Sequence, residues 1–173
     1  DVLDRIYNAA KKYGVDVIVR VTADNPLTDI NILDKQVKIL LQGNYDYVAP
    51  RGLILGLGSE VVSFKALEVA WKNAREPYQR DHVTPYIYEN PDIFNIYYFE
   101  PPKELKRRDI RLTIDEWEDY KLLLEIYRRL KDFVNVDTRA ILELFNKEPS
   151  LAEINRKVKQ RPYTHSEIAH GHP

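Results

Sequence analysis

The spacing of hydrophobic residues predicts an α/β arrangement for the first third of the chain. Apolar side chains recur every three to four positions over residues 3–10, which is typical of an amphipathic helix. A run of β-branched residues at 16–22 then predicts a strand that is buried on both faces, as in a parallel sheet. A helix over residues 30–42, with Asp29 at its N-cap, and a strand at 46–49 repeat this order. Helix, strand, helix, strand is the order found in α/β folds.

The rest of the chain has shorter and more aromatic segments, after an aperiodic loop at 51–58. The elements predicted there are a strand at 60–64, a helix at 65–74, a helix at 78–88 that Pro85 bends or ends, strands at 94–99 and 109–113, a strong helix at 115–130 and short helices after residue 137. Asp115 is the predicted N-cap of the strong helix, with Glu118 completing a capping box. We therefore expect one α/β domain over residues 1–160 and a polar tail over 161–173.

Composition and charge narrow the class of protein. Hydrophobic residues make up 44% of the 173 positions, and no apolar run is long enough to span a membrane, so a soluble domain is expected. A net charge of -1 argues against a nucleic-acid-binding protein, which is usually basic. The absence of cysteine excludes disulfides, thiolate zinc sites and cysteine nucleophiles, and it fits a cytoplasmic location. The chain also lacks Met and begins at Asp1 within a predicted helix, so we expect a further segment upstream.

Two acidic residues that follow predicted strands are the first candidates for chemistry. Asp24 comes after the strand at 16–22, and ligands of open α/β sheets bind beyond such strand ends. Asp115 follows the strand at 109–113 in the same way. Two such carboxylates could share one Mg²⁺ and neutralise a triphosphate. The alternative is purely structural, with Asp24 as a turn residue before Pro26 and Asp115 as a helix cap.

Two further clusters are less specific. Residues 80–85 place Arg80 and His82 beside an aspartate, as expected of an ion-pair network or of a substrate pocket. Residues 56–60 combine two glycines with Glu60, which suits either close approach of a ligand to the backbone or an ordinary hairpin loop.

Taken in order, these segments resemble the spore-coat polysaccharide biosynthesis branch of the cytidylyltransferases, whose relatives activate 3-deoxy-manno-octulosonate and acylneuraminates. The matching motifs are VRVTADNPL at 19–27 (family pattern V/I-R-I/V-T-G-D-C-P-L), GLGSEVVSF at 56–64 (G-L-D-V-E-V-F-S-F), RDHVTPYI at 80–87 (R-E-H-V-T-P-Y-I), RLTID at 111–115 (R-L-T-V-D), and shorter matches at 1–5 and 153–155. The resemblance covers about residues 1–160.

The resemblance implies that a cytidylyl group is transferred from CTP to a sugar or sugar acid, with release of pyrophosphate, in surface polysaccharide biosynthesis. In this family a sugar hydroxyl attacks the α-phosphate, and Mg²⁺ neutralises charge on the transferring group. Matching of the motifs implies that Asp24 and Asp115 are the catalytic carboxylates and the ligands of Mg²⁺. The residues implied to contact the substrate are Arg20, Glu60, Arg80 and His82, with Arg5 beside the nucleotide.

The resemblance also implies a fold. The family has a Rossmann-like α/β sheet with a β extension that forms a homodimer, and here that extension would be the strands near 59–64 and 94–99. Family members begin with a strand and a Gly/Arg/Lys loop that binds the triphosphate and base. No such segment precedes Asp1 in this sequence, so we expect an N-terminally truncated domain with an unpaired sheet edge and little activity from this chain alone.

Departures from the family motifs keep other functions open. Gly58 stands where the family has an aspartate, which leaves the identity of the sugar undecided, and Ala23 and Trp117 also depart from the pattern. Three interpretations follow: part of a CTP-dependent sugar cytidylyltransferase, a non-catalytic truncated module, or a glycosyltransferase that uses a preformed nucleotide sugar.

Overall fold

The computed structural model describes residues 1–131 and 137–160 of the chain, and the predicted tail at 161–173 lies outside the described residues. The strands are β1 (Val17–Arg20), β2 (Tyr47–Pro50), β3 (Glu60–Ser63) and β4 (Ile96–Phe99). The α-helices are α1 (Val2–Tyr13), α2 (Ile30–Gly43), α3 (Phe64–Asn73), α4 (Pro77–His82), α5 (Pro85–Tyr88), α6 (Trp117–Leu130) and α7 (Thr138–Lys147), and single 3₁₀ turns lie at Lys103–Leu105 and Pro149–Glu153.

The four strands form one mixed sheet in the order β1-β3-β2-β4. β3 is antiparallel to both of its neighbours, whereas β2 and β4 are parallel. The register places Arg20 opposite Glu60, at the carboxyl end of β1. The strands predicted for the β extension, near 59–64 and 94–99, are β3 and β4 of this sheet, with β3 in its interior. A homodimer stays a prediction.

Side chains of the sheet alternate between two hydrophobic layers. Val48 and Val61 pack with α2, α6 and α7. Tyr47 and Val62 point the other way and pack with α1 and α3. Helices therefore cover both faces of the sheet, as the α/β pattern predicts.

The strand β1 differs from its prediction. Among the described residues it pairs only with β3, in antiparallel orientation, so it lies at an edge of the sheet. Ile18 is buried, but Val19 is 40% exposed. The expected parallel strand, buried on both faces, is therefore wrong, because an apolar run shows that a strand is favourable without showing its neighbours.

Gln36 ties α2 to the segment that leads into β3. Its side chain is fully buried, and its Nε2 donates hydrogen bonds to the carbonyl oxygens of Val48 (3.0 Å) and Ser59 (2.9 Å). Its Oε1 accepts a hydrogen bond from the Ser59 hydroxyl at 2.7 Å. These bonds satisfy every polar group involved and fix the backbone just before Glu60.

The segment between β4 and α6 also differs from its prediction. The strand predicted at 109–113 is wrong. The structure has only a single parallel bridge there, between Arg111 and Leu55, because Leu55 lies in a loop. The N-cap of α6 is Glu116, and its capping-box partner is Asp119. The predicted cap at Asp115 with Glu118 is therefore wrong, and the side chain of Asp115 is left at the surface.

The predicted helix at 78–88 is divided in two at Pro85, which lies in the first turn of α5. In residues 1–131 and 137–160, no helix is both long and apolar enough to cross a membrane.

Candidate functional site

The turn after β1 and the segment before α6 meet beyond the carboxyl end of β1. The carbonyl oxygen of Asp24 accepts hydrogen bonds from the backbone N–H of Ile114 (2.8 Å) and from the Thr113 hydroxyl (3.3 Å). The N–H of Leu112 donates to the carbonyl oxygen of Leu55 at 2.8 Å. Main-chain bonds thus bring together two acidic motifs that are far apart in the sequence.

A cavity of about 470 Å³ lies between these segments. It is lined by Arg20, Thr22, Asp24, Asn25, Leu55, His82, Thr113, Asp115, Glu116, Lys159 and Gln160. Four side chains that the sequence predicted as functional therefore share one pocket: Arg20, Asp24, His82 and Asp115. The arrangement combines two exposed carboxylates with cationic and imidazole groups, which suits an anionic ligand bound together with a cation.

Glu60 lies behind Arg20 and holds it. Nη1 of Arg20 donates to Oε2 of Glu60 across the β1–β3 pair, and the Thr84 hydroxyl donates to Oε1. The Tyr47 hydroxyl lies 3.5 Å from the same Oε1. Since its carboxylate is engaged in these contacts, Glu60 orients the guanidinium of Arg20, and direct contact of Glu60 with a substrate stays a prediction.

Replacing Thr84 by Val is expected to destabilise the fold by about 1.5–3 kcal/mol, because the hydroxyl is buried and donates to a charged acceptor. Urea denaturation measures the change. Thr28→Val is the matched control, since the Thr28 hydroxyl donates to a neutral carbonyl, that of Asn25 (2.8 Å), and its loss is expected to cost only about 0.5–1.5 kcal/mol. A Thr84→Val variant as stable as the wild type would contradict the role assigned to this bond.

His82 reaches the pocket through a tight turn between α4 and α5. Val83 has φ 79° and ψ −55°, and the N–H of Thr84 donates to the carbonyl oxygen of His82 at 3.0 Å. This is a classic γ-turn, which is strained for a β-branched residue. Val83 is 1% exposed, so the packing of its side chain compensates for part of that strain.

Asp115 is held from behind by a partly buried ion-pair network. Nη2 of Arg111 donates to Oδ2 of Asp115, and Nε of Arg111 donates to Oδ1 of Asp119 at 3.0 Å. Burial alone raises the pKa of Asp119, but hydrogen bonds from Arg111, Asn155 and two backbone amides outweigh it and hold that pKa below its usual range. Asp119 is therefore ionised at neutral pH although its side chain is buried.

Comparison with known proteins identifies the family. Residues 1–163 match the family model described as cytidylyltransferase. The chain belongs to the cytidylyltransferase family. It is 58% identical over 163 residues to the uncharacterized protein MJ1063 of Methanocaldococcus jannaschii, across 94% of this chain and 67% of that protein. It is 30% identical over 152 residues to the spore coat polysaccharide biosynthesis protein SpsF of Bacillus subtilis, across 87% of this chain and 63% of that protein.

A solved structure supports the same assignment. A cytidylyltransferase from Leptospira borgpetersenii serovar Hardjo-bovis superimposes with a TM-score of 0.77 and 33% identity, covering 95% of this chain and 68% of that one. The family predicted from the motifs and the Rossmann-like nucleotidyltransferase fold are thereby confirmed. This chain spans about two thirds of the length of the relatives that it matches.

Two residues that the cytidylyltransferase motifs implied lie away from the pocket. Arg80 donates from Nε to the Asp1 carboxylate (2.7 Å) and from Nη1 to the Trp71 carbonyl (2.8 Å). It lines a second depression of about 510 Å³. Arg5 is exposed on α1 and lines neither cavity. The structure does not bring these two arginines to Asp24 and Asp115, and their contacts with ligands stay predictions.

The donor set of the pocket fits Mg²⁺ bound together with phosphates. Within the described residues no group of three or more His, Cys, Asp or Glu side chains is placed to hold a metal. Mg²⁺ commonly uses only one or two carboxylates and takes its other ligands from water and phosphate oxygens, and Asp24 and Asp115 provide that number. Oδ1 of Asn25, also at the pocket, is buried without a hydrogen-bond partner, and a bound ligand or metal-bound water would satisfy it.

Two residues of this site were missed by sequence reasoning. Asp119 follows Glu118, the predicted capping-box residue, and Asn155 contacts Asp119 from 36 positions away in the sequence. The E–x₂–D spacing from Glu116 to Asp119 was the available signal for Asp119. Asn155 belongs to the short family match at 153–155, which did not show its contact with Asp119.

Proposed function

We propose that this protein transfers a cytidylyl group from CTP to a sugar or sugar acid in surface polysaccharide biosynthesis, with Mg²⁺ as cofactor. Membership of the cytidylyltransferase family supports CTP-dependent nucleotidyl transfer. The similarity to SpsF, which is named for spore coat polysaccharide biosynthesis, supports the setting. The main structural support for the proposal is that Asp24 and Asp115 line the same pocket.

In the proposed reaction a hydroxyl oxygen of the sugar forms a bond to the α-phosphorus of CTP. The bond from that phosphorus to the oxygen bridging the α- and β-phosphates breaks, and pyrophosphate leaves with that oxygen. The proton of the hydroxyl passes to a base, for which the imidazole of His82 is the candidate in this pocket. Bound Mg²⁺ would supply positive charge that neutralises the phosphates, and Asp24 and Asp115 would hold it.

Cationic side chains on the pocket wall complement an anionic substrate. Arg20 is fixed through one nitrogen by Glu60 and has further N–H donors for a phosphate or a sugar carboxylate. Lys159 lies on the same wall and adds a second positive charge. Catalysis in such a site consists mainly of positioning the reacting groups and stabilising charge.

The test of this function is an assay of the full-length protein with CTP, Mg²⁺ and a panel of sugars and sugar acids. We expect pyrophosphate and a CMP-linked sugar in equal amounts, and loss of both products in excess chelator. Consumption of a preformed nucleotide sugar without pyrophosphate release would favour a glycosyltransferase instead. Failure of the full-length protein to turn over any nucleotide would favour a non-catalytic module.

A further inference from the structure

The carboxylate of Asp119 fixes the backbone that carries Asp115. The side chain of Asp119 is 0% exposed. Its Oδ2 accepts hydrogen bonds from the backbone N–H groups of Asp115 and Glu116, each at 3.0 Å. Capping of α6 requires only the bond to Glu116, so the bond to the N–H of Asp115 goes beyond what the start of a helix needs.

Arg111 extends this control to the side chain of Asp115. Its Nε and Nη2 grip Asp119 in a fork, at 3.0 Å to Oδ1 and 3.2 Å to Oδ2. The same Nη2 donates to Oδ2 of Asp115. Because a guanidinium is planar and rigid, fixing it on Asp119 also fixes the direction in which it holds the Asp115 carboxylate.

Asn155 holds the network from the other side. It is 3% exposed, and its Nδ2 donates to Oδ1 of Asp119 (2.8 Å) and to the carbonyl oxygen of Arg111 (3.0 Å). Gln160, on the pocket wall, accepts a hydrogen bond from Nη1 of Arg111. The segment after α7 is thus tied to the residues that orient Asp115.

We propose that Asp119 is a positioning residue, which acts through Arg111 and through the backbone to hold Asp115 in the orientation that meets the metal ion bound with the nucleotide. This inference rests on the proposed function, since it takes Asp115 to be a metal carboxylate. A buried carboxylate costs free energy unless it is fully paired. Among the described residues, the Asp119 carboxylate is bonded to Arg111, to Asn155 and to the backbone N–H groups of Asp115 and Glu116, and each of these partners bears on the position of Asp115. Partners of this kind strongly affect metal affinity.

The test is binding of Mn²⁺, as a probe of the Mg²⁺ site, to the full-length protein with CTP present, followed by electron paramagnetic resonance. The amide of Asp119→Asn cannot accept all of the hydrogen bonds that the carboxylate accepts. We expect this variant to raise the Kd of Mn²⁺ at least about tenfold. Asn155→Ala changes no charge, and we expect a rise of about threefold that only lost positioning explains. The Mg²⁺ concentration for half-maximal pyrophosphate release should rise in the same order.

Asp109→Asn is the matched control. Asp109 is gripped by Arg107 in the same kind of fork, with Nε 3.0 Å from Oδ1, but the pair does not line the pocket. Removal of this charge is expected to leave the Kd of Mn²⁺ within about twofold of wild type. Thermal unfolding shows the temperatures at which each variant is folded, and the binding assay is done below them. If Asp119→Asn does not fold, the test uses Asn155→Ala alone.

Two results would overturn the inference, and they are distinguishable. If the wild type binds Mn²⁺ with CTP and the Asp119 or Asn155 variant that folds binds it equally well, Asp119 is structural and the proposed function still stands. If the wild type itself binds no Mn²⁺ in the presence of CTP, the metal site fails, and the inference fails with it.

Discussion

Asp24→Asn and Asp115→Asn are each expected to lower kcat for pyrophosphate release from CTP by about 10²–10³-fold in the full-length protein. Each change replaces a charged oxygen ligand by a neutral amide of nearly the same shape, so the pocket keeps its form while its attraction for Mg²⁺ falls. Since both carboxylates are exposed, we expect little change in the free energy of unfolding. Steady-state kinetics at saturating CTP and Mg²⁺ measure the effect.

The double variant sharpens this prediction. If both carboxylates hold one metal ion, replacing the second carboxylate should lower kcat only a few-fold further than replacing the first. The effects of residues that act as a unit are not additive. Asp92→Asn, an exposed aspartate outside the pocket lining, is the control and should keep the activity of the wild type. Activity within about twofold of wild type in either single variant would remove that carboxylate from the proposed site.

Gly56→Ala is expected to destabilise the fold by about 3–5 kcal/mol, the largest effect on stability that we predict. Gly56 has φ +100°, and a Cβ there would lie 2.3 Å from the carbonyl carbon of Leu112 and 2.4 Å from the backbone nitrogen of Thr113. Backbone atoms cannot move aside as a flexible side chain does. The segment that carries Asp115 would have to shift, so activity should fall together with the free energy of unfolding, which urea denaturation measures.

Gly58→Ala is the matched control in the same loop. A Cβ at Gly58 would meet Leu53 Cδ2 at 3.8 Å, an ordinary contact, and we expect a change within about 1 kcal/mol. Equal stability of the two alanine variants would show that the close approach at Gly56 is not required by the fold.

Local patterns predicted the features that depend on local interactions. The helix α1 ends at Gly14 in the left-handed conformation, and α2 begins at Asp29, whose side chain accepts the N–H of Ile32, as the sequence indicates. Such caps are made by residues close together in the chain, so their signals stand in the sequence. Sequence patterns alone marked Asp24 and Asp115 after predicted strands and His82 in the cluster at 80–85. The resemblance to the cytidylyltransferases added Arg20 and assigned all four residues to one site, because its motifs fix which distant segments belong together.

Features that depend on distant pairing were not predictable in the same way. The antiparallel pairing of β1 with β3 joins segments about 40 residues apart in the chain, and no pattern within β1 shows it. The role of Glu60 behind Arg20 depends on the register between those two strands. The turn at Val83 is strained, and burial of its side chain against other elements compensates for part of that strain. The local sequence pattern predicts one helix there, because it does not show those neighbours.

The most direct test of the account is diffraction from crystals of the full-length protein grown with CTP and with Mn²⁺ in place of Mg²⁺. The account predicts one anomalous peak about 2.1 Å from a carboxylate oxygen of both Asp24 and Asp115, with phosphate oxygens of the nucleotide as further ligands. A nucleotide whose metal ion touches neither carboxylate, or one bound in the depression beside Trp71 and Arg80, would contradict it.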